Sequence, residues 1–157
     1  MKSKPKRASK VIQCAVRKIL VEATPEECVR QAILVQLVNQ LGYPQGYIAV
    51  EKELRQMPHL MHQRPLPNRR ADIVCFARGI HPCHAVYPLL LIECKAVKLT
   101  QKVINQIIGY NYFVQSYFIA VANEDTIQTG WCNLKKGVFT FVPYLPTYEA
   151  LRKNCIK

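Results

Sequence analysis

The sequence predicts one α/β domain of two or three layers. The chain of 157 residues is long enough to bury a sizeable core, and helical and strand-like hydrophobic periods alternate along it. Two of its strands are apolar almost throughout, which is typical of strands covered on both faces. Because no stretch approaches the roughly 18 apolar residues of a membrane span and no signal peptide follows the basic start, we expect a soluble, cytoplasmic protein without membrane contacts.

Charge is distributed unevenly along the chain. Lys and Arg number 22 against 10 Asp and Glu, a net charge of +12 that favours polyanions such as nucleic acid. Seven basic residues precede the first carboxylate, Glu22. We therefore divide the chain into a basic N-terminal arm, residues 1–21, that is mobile or solvated, and a folded domain, residues 22–157.

The first predicted helix begins after Thr24. Thr24 is a suitable N-cap and Pro25 suits the first helical position, while the two glutamates that follow favour the positive end of the helix dipole. Gly42 ends the element. Its predicted buried stripe consists of Ile33, Leu34, Leu37, Val38 and Leu41.

The elements after this helix are mostly strands. Residues 46–54 alternate apolar with more polar side chains, which predicts a strand, whereas residues 55–70 hold three prolines and no period, which predicts a long basic loop. The remaining predictions, in chain order, are strands over 69–77 and 87–97, a helix over 99–115 and strands over 116–123 and 137–148.

A charged triplet stands at the end of the most apolar strand. Alternation along a strand places Glu93 and Lys95 on one face, and Asp72 can stand beside Glu93 if the two strands are neighbours. Two carboxylates suit a hard cation such as Mg²⁺ or Mn²⁺, and a lysine can orient a water or stabilise charge on a phosphate. The alternative is a buried ion pair without activity.

These residues carry a resemblance to a known family. Asp72, then Glu93-Cys94-Lys95, then Gln106 on a later helix resemble the PD-(D/E)XK nuclease superfamily. More narrowly, the chain is similar to the N-terminal nuclease domain of type I restriction enzyme R subunits and their stand-alone relatives. The segments that carry this similarity are "TPEECVRQ", "LGYP", "RRADIV", "LLLIECKA" and "NQIIGYN". The resemblance covers about residues 22–148 and implies a restriction-endonuclease-like core, α-β-β-β-α-β, with a central mixed sheet flanked by helices.

The resemblance also implies roles for single residues. Asp72, Glu93 and the backbone carbonyl of Cys94 would bind the metal, and Lys95 would position or activate the water. Gln106 would border the site. The acid of the first helix would be Glu27, with Glu26 as the alternative; Glu27 also completes an S/T-x-x-E capping box with Thr24.

The implied function is metal-dependent DNA endonuclease activity of the restriction or DNA-processing type. Arg64, Arg69 and Arg70 lead into Asp72 and would contact backbone phosphates, unless they only line a solvated loop. Since the sequence has no G-x-x-x-x-G-K-[ST] loop, a motor or specificity subunit would be another chain. A homodimer is a further expected partner, because cutting both strands with one site per chain favours it.

Two alternatives stay open. One is a catalytically idle DNA-binding or interaction module that retains the nuclease fold. The other is a zinc-supported structural protein, which depends on "HPCH" with His81, Cys83 and His84, near His59 and His62.

Overall fold

The structure, a computed structural model, describes residues 8–63 and 65–155. The predicted α/β class is confirmed, and the predicted order α-β-β-β-α-β is present as α1-β3-β4-β5-α2-β6. The helices and strands are β1 (Val11–Gln13), β2 (Leu20–Glu22), α1 (Pro25–Asn39), β3 (Ile48–Glu53), β4 (Arg70–Arg78), β5 (Val86–Cys94), α2 (Gln101–Val114), β6 (Phe118–Ala122), β7 (Ile127–Asn133), β8 (Val138–Val142) and α3 (Tyr148–Cys155).

A mixed sheet lies at the centre of the described residues. Its strand order is β3-β4-β5-β6-β7-β8. Strands β5 and β6 are parallel, and the other neighbours are antiparallel. Parallel neighbours require a crossover connection, which α2 provides.

Alternate residues of the central strands pack into two cores, one on each face of the sheet. Leu90 and Ile92 belong to the core that α1 covers, whereas Leu91 belongs to the core that α2 covers. None of these three side chains is exposed to solvent. Strands β5 and β6 are therefore covered on both faces, as their near-continuous apolar sequences predicted.

Helix α1 begins and ends for the reasons that its sequence suggested. The Thr24 side-chain oxygen accepts a hydrogen bond of 3.1 Å from the backbone N–H of Glu27, and Pro25 is the first helical residue. Gly42 adopts a φ of +72° just beyond the helix, a conformation that side chains with a Cβ disfavour. The predicted stripe faces the core: Ile33, Leu34 and Leu37 are buried, and Val38 and Leu41 are partly buried.

The prediction of a mobile or solvated arm over residues 1–21 is wrong for residues 8–21, which the structure describes. Strands β1 and β2 form an antiparallel hairpin, and Cys14 in the connecting turn is completely buried in the α1-side core. Ala15, Val16 and Val21 pack against the same core and hold the hairpin on the domain, whereas Val11 and Leu20 are exposed. Residues 1–7 of the predicted arm lie outside the described residues.

The other differences concern the ends of elements and the C-terminal third. The sequence patterns did not predict β7 or α3, and the last predicted strand, 137–148, is only β8. Strand β5 ends at Cys94 instead of residue 97, so Lys95 is the first residue after it. The predicted loop over 55–70 contains short 3₁₀ turns. Met57, between two of these turns, and Leu60 are buried in the α2-side core. Among the described helices, none has the length and apolar character to cross a lipid bilayer.

Candidate active site

Asp72 and Glu93 lie side by side on two interior strands of the sheet, near the start of β4 and at the end of β5. Ile73 pairs with Ile92 in the antiparallel ladder, so Asp72 and Glu93 are the next opposed positions. A hydrogen-bonding interaction with Asp72 favours the protonated form of Glu93 and raises its pKa. The structure thus brings together the two acids that the sequence placed on neighbouring strands.

Glu93 is a buried acid with an unused oxygen. The residue is only 7% exposed, and its Oε1 has no hydrogen-bond partner within the described residues. Burial raises the pKa of Glu93 to about 8, with further contributions from the negative charge of Asp72 and the hydrogen bond to it. A buried carboxylate without a donor is costly to ionise, and a cation beside it would remove that cost.

Asp72 is held at both of its oxygens. Its Oδ1 accepts a hydrogen bond of 2.9 Å from Nη2 of Arg30, and its Oδ2 accepts one of 2.8 Å from the backbone N–H of Cys94. The Cys94 side chain points into the α1-side core. Each oxygen keeps a second lone pair, so both bonds are compatible with a further ligand.

A small cleft lies beside Glu93, between the end of β5 and α2. Its volume is about 10 Å³, about the least that can hold one water molecule. The cleft has an apolar wall, formed by Val103 and Ile107. Its polar lining consists of Arg69, Glu93, Lys95, Gln106 and Tyr110. The structure therefore also brings the predicted Lys95 and Gln106 to Glu93.

Two groups in this cleft modify its electrostatics. The positive charges of Lys95 and Arg69 lower the pKa of Glu93, although burial and Asp72 outweigh them. The Tyr110 hydroxyl is buried without a hydrogen-bond partner in the described residues, and burial together with the charge of Glu93 raises its pKa. The raised pKa keeps the Tyr110 hydroxyl protonated, so Tyr110 can donate a hydrogen bond into the cleft.

On the other side of Asp72, Arg30 joins three carboxylates. Its guanidinium contacts Glu27, Asp72 and Glu51, the last at 3.3 Å. Burial acts to lower the pKa of Arg30, but the negative charges of Asp72 and Glu27 outweigh it and raise the pKa. The Arg30 side chain is 6% exposed, so its pairs with Glu27 and Asp72 are largely shielded from water, whereas the Glu51 side chain is 37% exposed.

Sequence patterns alone did not place Arg30, Glu51 or Tyr110 at the site. Arg30 carried a usable signal, because it precedes Ile33 and Leu34 at helical spacing and so interrupts the apolar stripe with a charge. Glu51 carried none: it lies within β3 at a φ of +51°, a left-handed conformation that usually requires Gly or Asn.

The two candidate acids of the first helix have different surroundings. Glu27 is buried, and its oxygens accept hydrogen bonds from Arg30 and from Nε2 of Gln31. The capping box is only half formed, since the Thr24 N–H donates to the carbonyl of Glu22 instead of to Glu27. Glu26 is half-buried and makes no hydrogen bond or ion pair with other described residues.

Two of the three arginines predicted to bind DNA, Arg69 and Arg70, belong to the described residues and lie at the rim of the cleft. Arg69 and Arg70 are exposed at the start of β4. The guanidinium of Arg69 lies over the Tyr110 ring at 4.2 Å, and Arg70 is 3.5 Å from Glu53. Arg64 lies outside the described residues.

The described residues contain no cluster of side chains that would supply three or more metal ligands. No three or more His, Cys, Asp or Glu side chains among residues 8–63 and 65–155 converge on one point. This contradicts zinc at "HPCH", where His81 stacks on Tyr87 at 4.2 Å. It does not affect Mg²⁺, which commonly uses one or two carboxylates and takes its other ligands from water and substrate phosphates.

The fold is an α/β domain with a nuclease-like core. Two acids, Asp72 and Glu93, lie next to each other on the neighbouring strands β4 and β5 of its central sheet. Residues 25–146 match the family model described as Type I restriction enzyme R protein N terminus. Because the match covers most of the chain, the protein belongs to this family. Searches of the curated proteins and of the solved structures gave no match.

Proposed function

We propose that the protein is a metal-dependent DNA endonuclease of the PD-(D/E)XK type. The observation that carries the proposal is the pair Asp72 and Glu93, in which a buried, unpaired Glu93 oxygen lies beside Lys95 in a narrow cleft. The family name refers to a restriction enzyme subunit, which supports DNA as the substrate. The surplus of positive charge agrees with a polyanionic substrate.

The residues present fit Mg²⁺, with Mn²⁺ as a substitute. Asp72, Glu93 and the backbone carbonyl of Cys94 offer only oxygen ligands, which hard cations prefer. The buried Glu93 Oε1 has no hydrogen-bond donor among the described residues and could accept a cation. When bound, such an ion polarises the scissile phosphate and lowers the pKa of a water molecule.

The protein's own side chains provide orientation and charge. Lys95 lines the cleft beside Glu93, where its ammonium can orient the attacking water and stabilise negative charge that develops on the phosphate. The Gln106 amide borders the same cleft and can hydrogen-bond to the water or to the DNA backbone. Asp72 is fixed by Arg30 and Cys94, so it does not need to reorient during the reaction.

DNA would approach along the exposed basic rim of this cleft. Arg69 and Arg70 stand at the start of β4, and the exposed Lys102 precedes Gln106 by one helical turn of α2. These cations suit phosphate oxygens, which position a duplex without reading its sequence. Arg64 continues the same basic segment in the sequence and is included in the proposal.

The proposal also concerns partners and location. The family name supports association with other restriction-enzyme subunits, and a separate chain would supply any motor. A second copy of the chain would allow both strands to be cut. We propose that this takes place in the cytoplasm, where DNA and free Mg²⁺ meet.

A plasmid-nicking assay tests the function. We expect purified protein to relax supercoiled DNA with Mg²⁺ or Mn²⁺ and not in EDTA, and Asp72→Asn and Lys95→Ala to abolish the activity while retaining the fold. Lys153→Ala is the matched control, because Lys153 is an exposed lysine on α3, remote from the cleft. Equal activity in all variants would reveal a contaminant, and salt-sensitive DNA binding without cleavage would support the idle module instead.

A further inference from the structure

Both oxygens of Glu27, the candidate acid of the first helix, accept a hydrogen bond from another side chain. Glu27 Oε2 accepts from Arg30, and Glu27 Oε1 accepts from Gln31 at 2.8 Å. A carboxylate that binds a metal directly must have an oxygen directed at it. The guanidinium of Arg30 bonds to Glu27 through Nη1 and to Asp72 through Nη2, so it lies between the two carboxylates.

The chain of contacts continues from Glu27 to the site. Arg30 is fixed by Glu27 and donates from Nη2 to Asp72 at 2.9 Å. The planar guanidinium presents its donors in a rigid fork, so holding one side of it sets the direction of the other. The orientation of Asp72 thus depends on Glu27 through Arg30.

The N-terminal hairpin anchors this chain of contacts at two points. In the turn between β1 and β2, the backbone N–H of Ala15 donates to Gln31 Oε1 at 2.8 Å. Arg17 donates to Glu51 Oε2 at 3.1 Å, and the other Glu51 oxygen lies 3.3 Å from Arg30. The hairpin therefore holds both Gln31 and Glu51 in place.

We propose that Glu27 and Arg30 are positioning residues, anchored by the β1–β2 hairpin, that hold Asp72 ready for the metal without binding the metal themselves. The inference rests on the proposed function, because it assumes that Asp72 is a metal ligand. It gives Glu27 a different role from that of a ligand on the helix. The hairpin becomes part of the support of the site.

The test uses two measurements on the full chain. The first is the amide proton resonance of Cys94 in the metal-free protein, which reports the 2.8 Å hydrogen bond to Asp72 Oδ2. The second is the affinity for Mn²⁺ measured by calorimetry. The decisive comparison is Glu27→Gln with Glu26→Gln, since the two glutamates are neighbours on α1 and only Glu27 contacts Arg30.

We expect Glu27→Gln to move the Cys94 amide resonance and to weaken Mn²⁺ binding by about 10- to 100-fold, the usual effect of losing a group that orients a ligand. Glu26→Gln is expected to change neither. Arg30→Lys, which keeps the charge but loses the fork, is expected to move the Cys94 resonance as well, and it serves if Glu27→Gln does not fold.

Two results would overturn the inference. If Glu27→Gln leaves the Cys94 resonance in place yet weakens Mn²⁺ binding, Glu27 is a direct ligand. If it changes neither quantity, Glu27 does not support Asp72. A wild-type protein that binds no Mn²⁺ would refute the proposed function, while the Cys94 resonance would still decide whether Glu27 and Arg30 position Asp72.

Discussion

The two sides of Asp72 differ in how completely their carboxylates are paired. On the α1 side, all six carboxylate oxygens of Glu27, Glu51 and Asp72 lie against a donor. On the α2 side, Glu93 Oε1 is buried without one among the described residues. The paired side is arranged as a stable fold requires, and the unpaired side is where a ligand can still bind.

The largest expected effect comes from Asp72, which belongs to both sides. Asp72→Asn keeps the shape of the side chain but removes the charge, so we expect the plasmid-nicking rate to fall by about 1,000-fold. The fold should survive, since Arg30 keeps Glu27 and Glu51 as partners. Asp125→Asn, an exposed loop aspartate, is the control. Nicking at the wild-type rate would show that Asp72 has no part in the reaction.

A second change breaks the paired side. Arg30→Leu leaves Glu27 and Asp72 without their buried cation, so the free energy of unfolding should fall by about 3 kcal/mol, measured by urea denaturation. Arg55→Leu removes an exposed partner of Glu53 and should cause no comparable loss. If both variants lose equal stability, Arg30 is not the centre of a buried network.

A third change sharpens the contrast through pH. The pKa of Glu93 is raised from 4.5 to about 8, so the metal-free native state holds a proton that the unfolded chain has released between these values. Stability therefore falls as pH rises through this window. Glu93→Gln lacks the titration, and its stability relative to wild type should increase by about 1 kcal/mol between pH 6 and pH 7.

Thermal or urea unfolding in EDTA at several pH values measures this difference. Parallel pH profiles for wild type and Glu93→Gln would mean that Glu93 titrates normally. Added Mg²⁺ at pH 8 should stabilise the wild type and not Glu93→Gln, because ligand binding to the native state raises its stability.

The smallest expected effect lies at the rim of the unpaired side. Arg70 is exposed and only loosely paired with Glu53 at 3.5 Å. Arg70→Ala should weaken DNA binding modestly for all sequences and reduce the slope of log affinity against log salt by about 1, as measured by fluorescence anisotropy. An unchanged slope would place the DNA away from the start of β4.

The sequence predicted the regular core well because its signals are local. Thr24 and Pro25 begin α1 as expected, and alternation placed Glu93 and Lys95 beside Asp72 once β4 and β5 were known to be neighbours. Tertiary contacts had no such signal. Cys14 is buried only because the β1–β2 hairpin docks on the domain, and the left-handed Glu51 is not a residue type that marks such a conformation.

Arg30 shows where the residue pattern could have been used further. A charge within the apolar stripe of α1 must find a partner, and the chain has only 10 acids to offer. Its partners come from three separate segments of the chain, at Glu27, Glu51 and Asp72. Helical spacing could therefore predict that Arg30 is paired and that Glu27, three residues before it, is one partner, but not that Glu51 and Asp72 are the others.

The central claim is that Asp72 and Glu93 bind a divalent cation on the unpaired side of Asp72. A crystal soaked in Mn²⁺, with anomalous diffraction measured above the manganese edge, tests it most directly. We expect an anomalous peak within coordination distance of Asp72 and Glu93, with Arg30 still bonded to Asp72. Anomalous density at Glu27 instead, or none between Asp72 and Glu93, would contradict it.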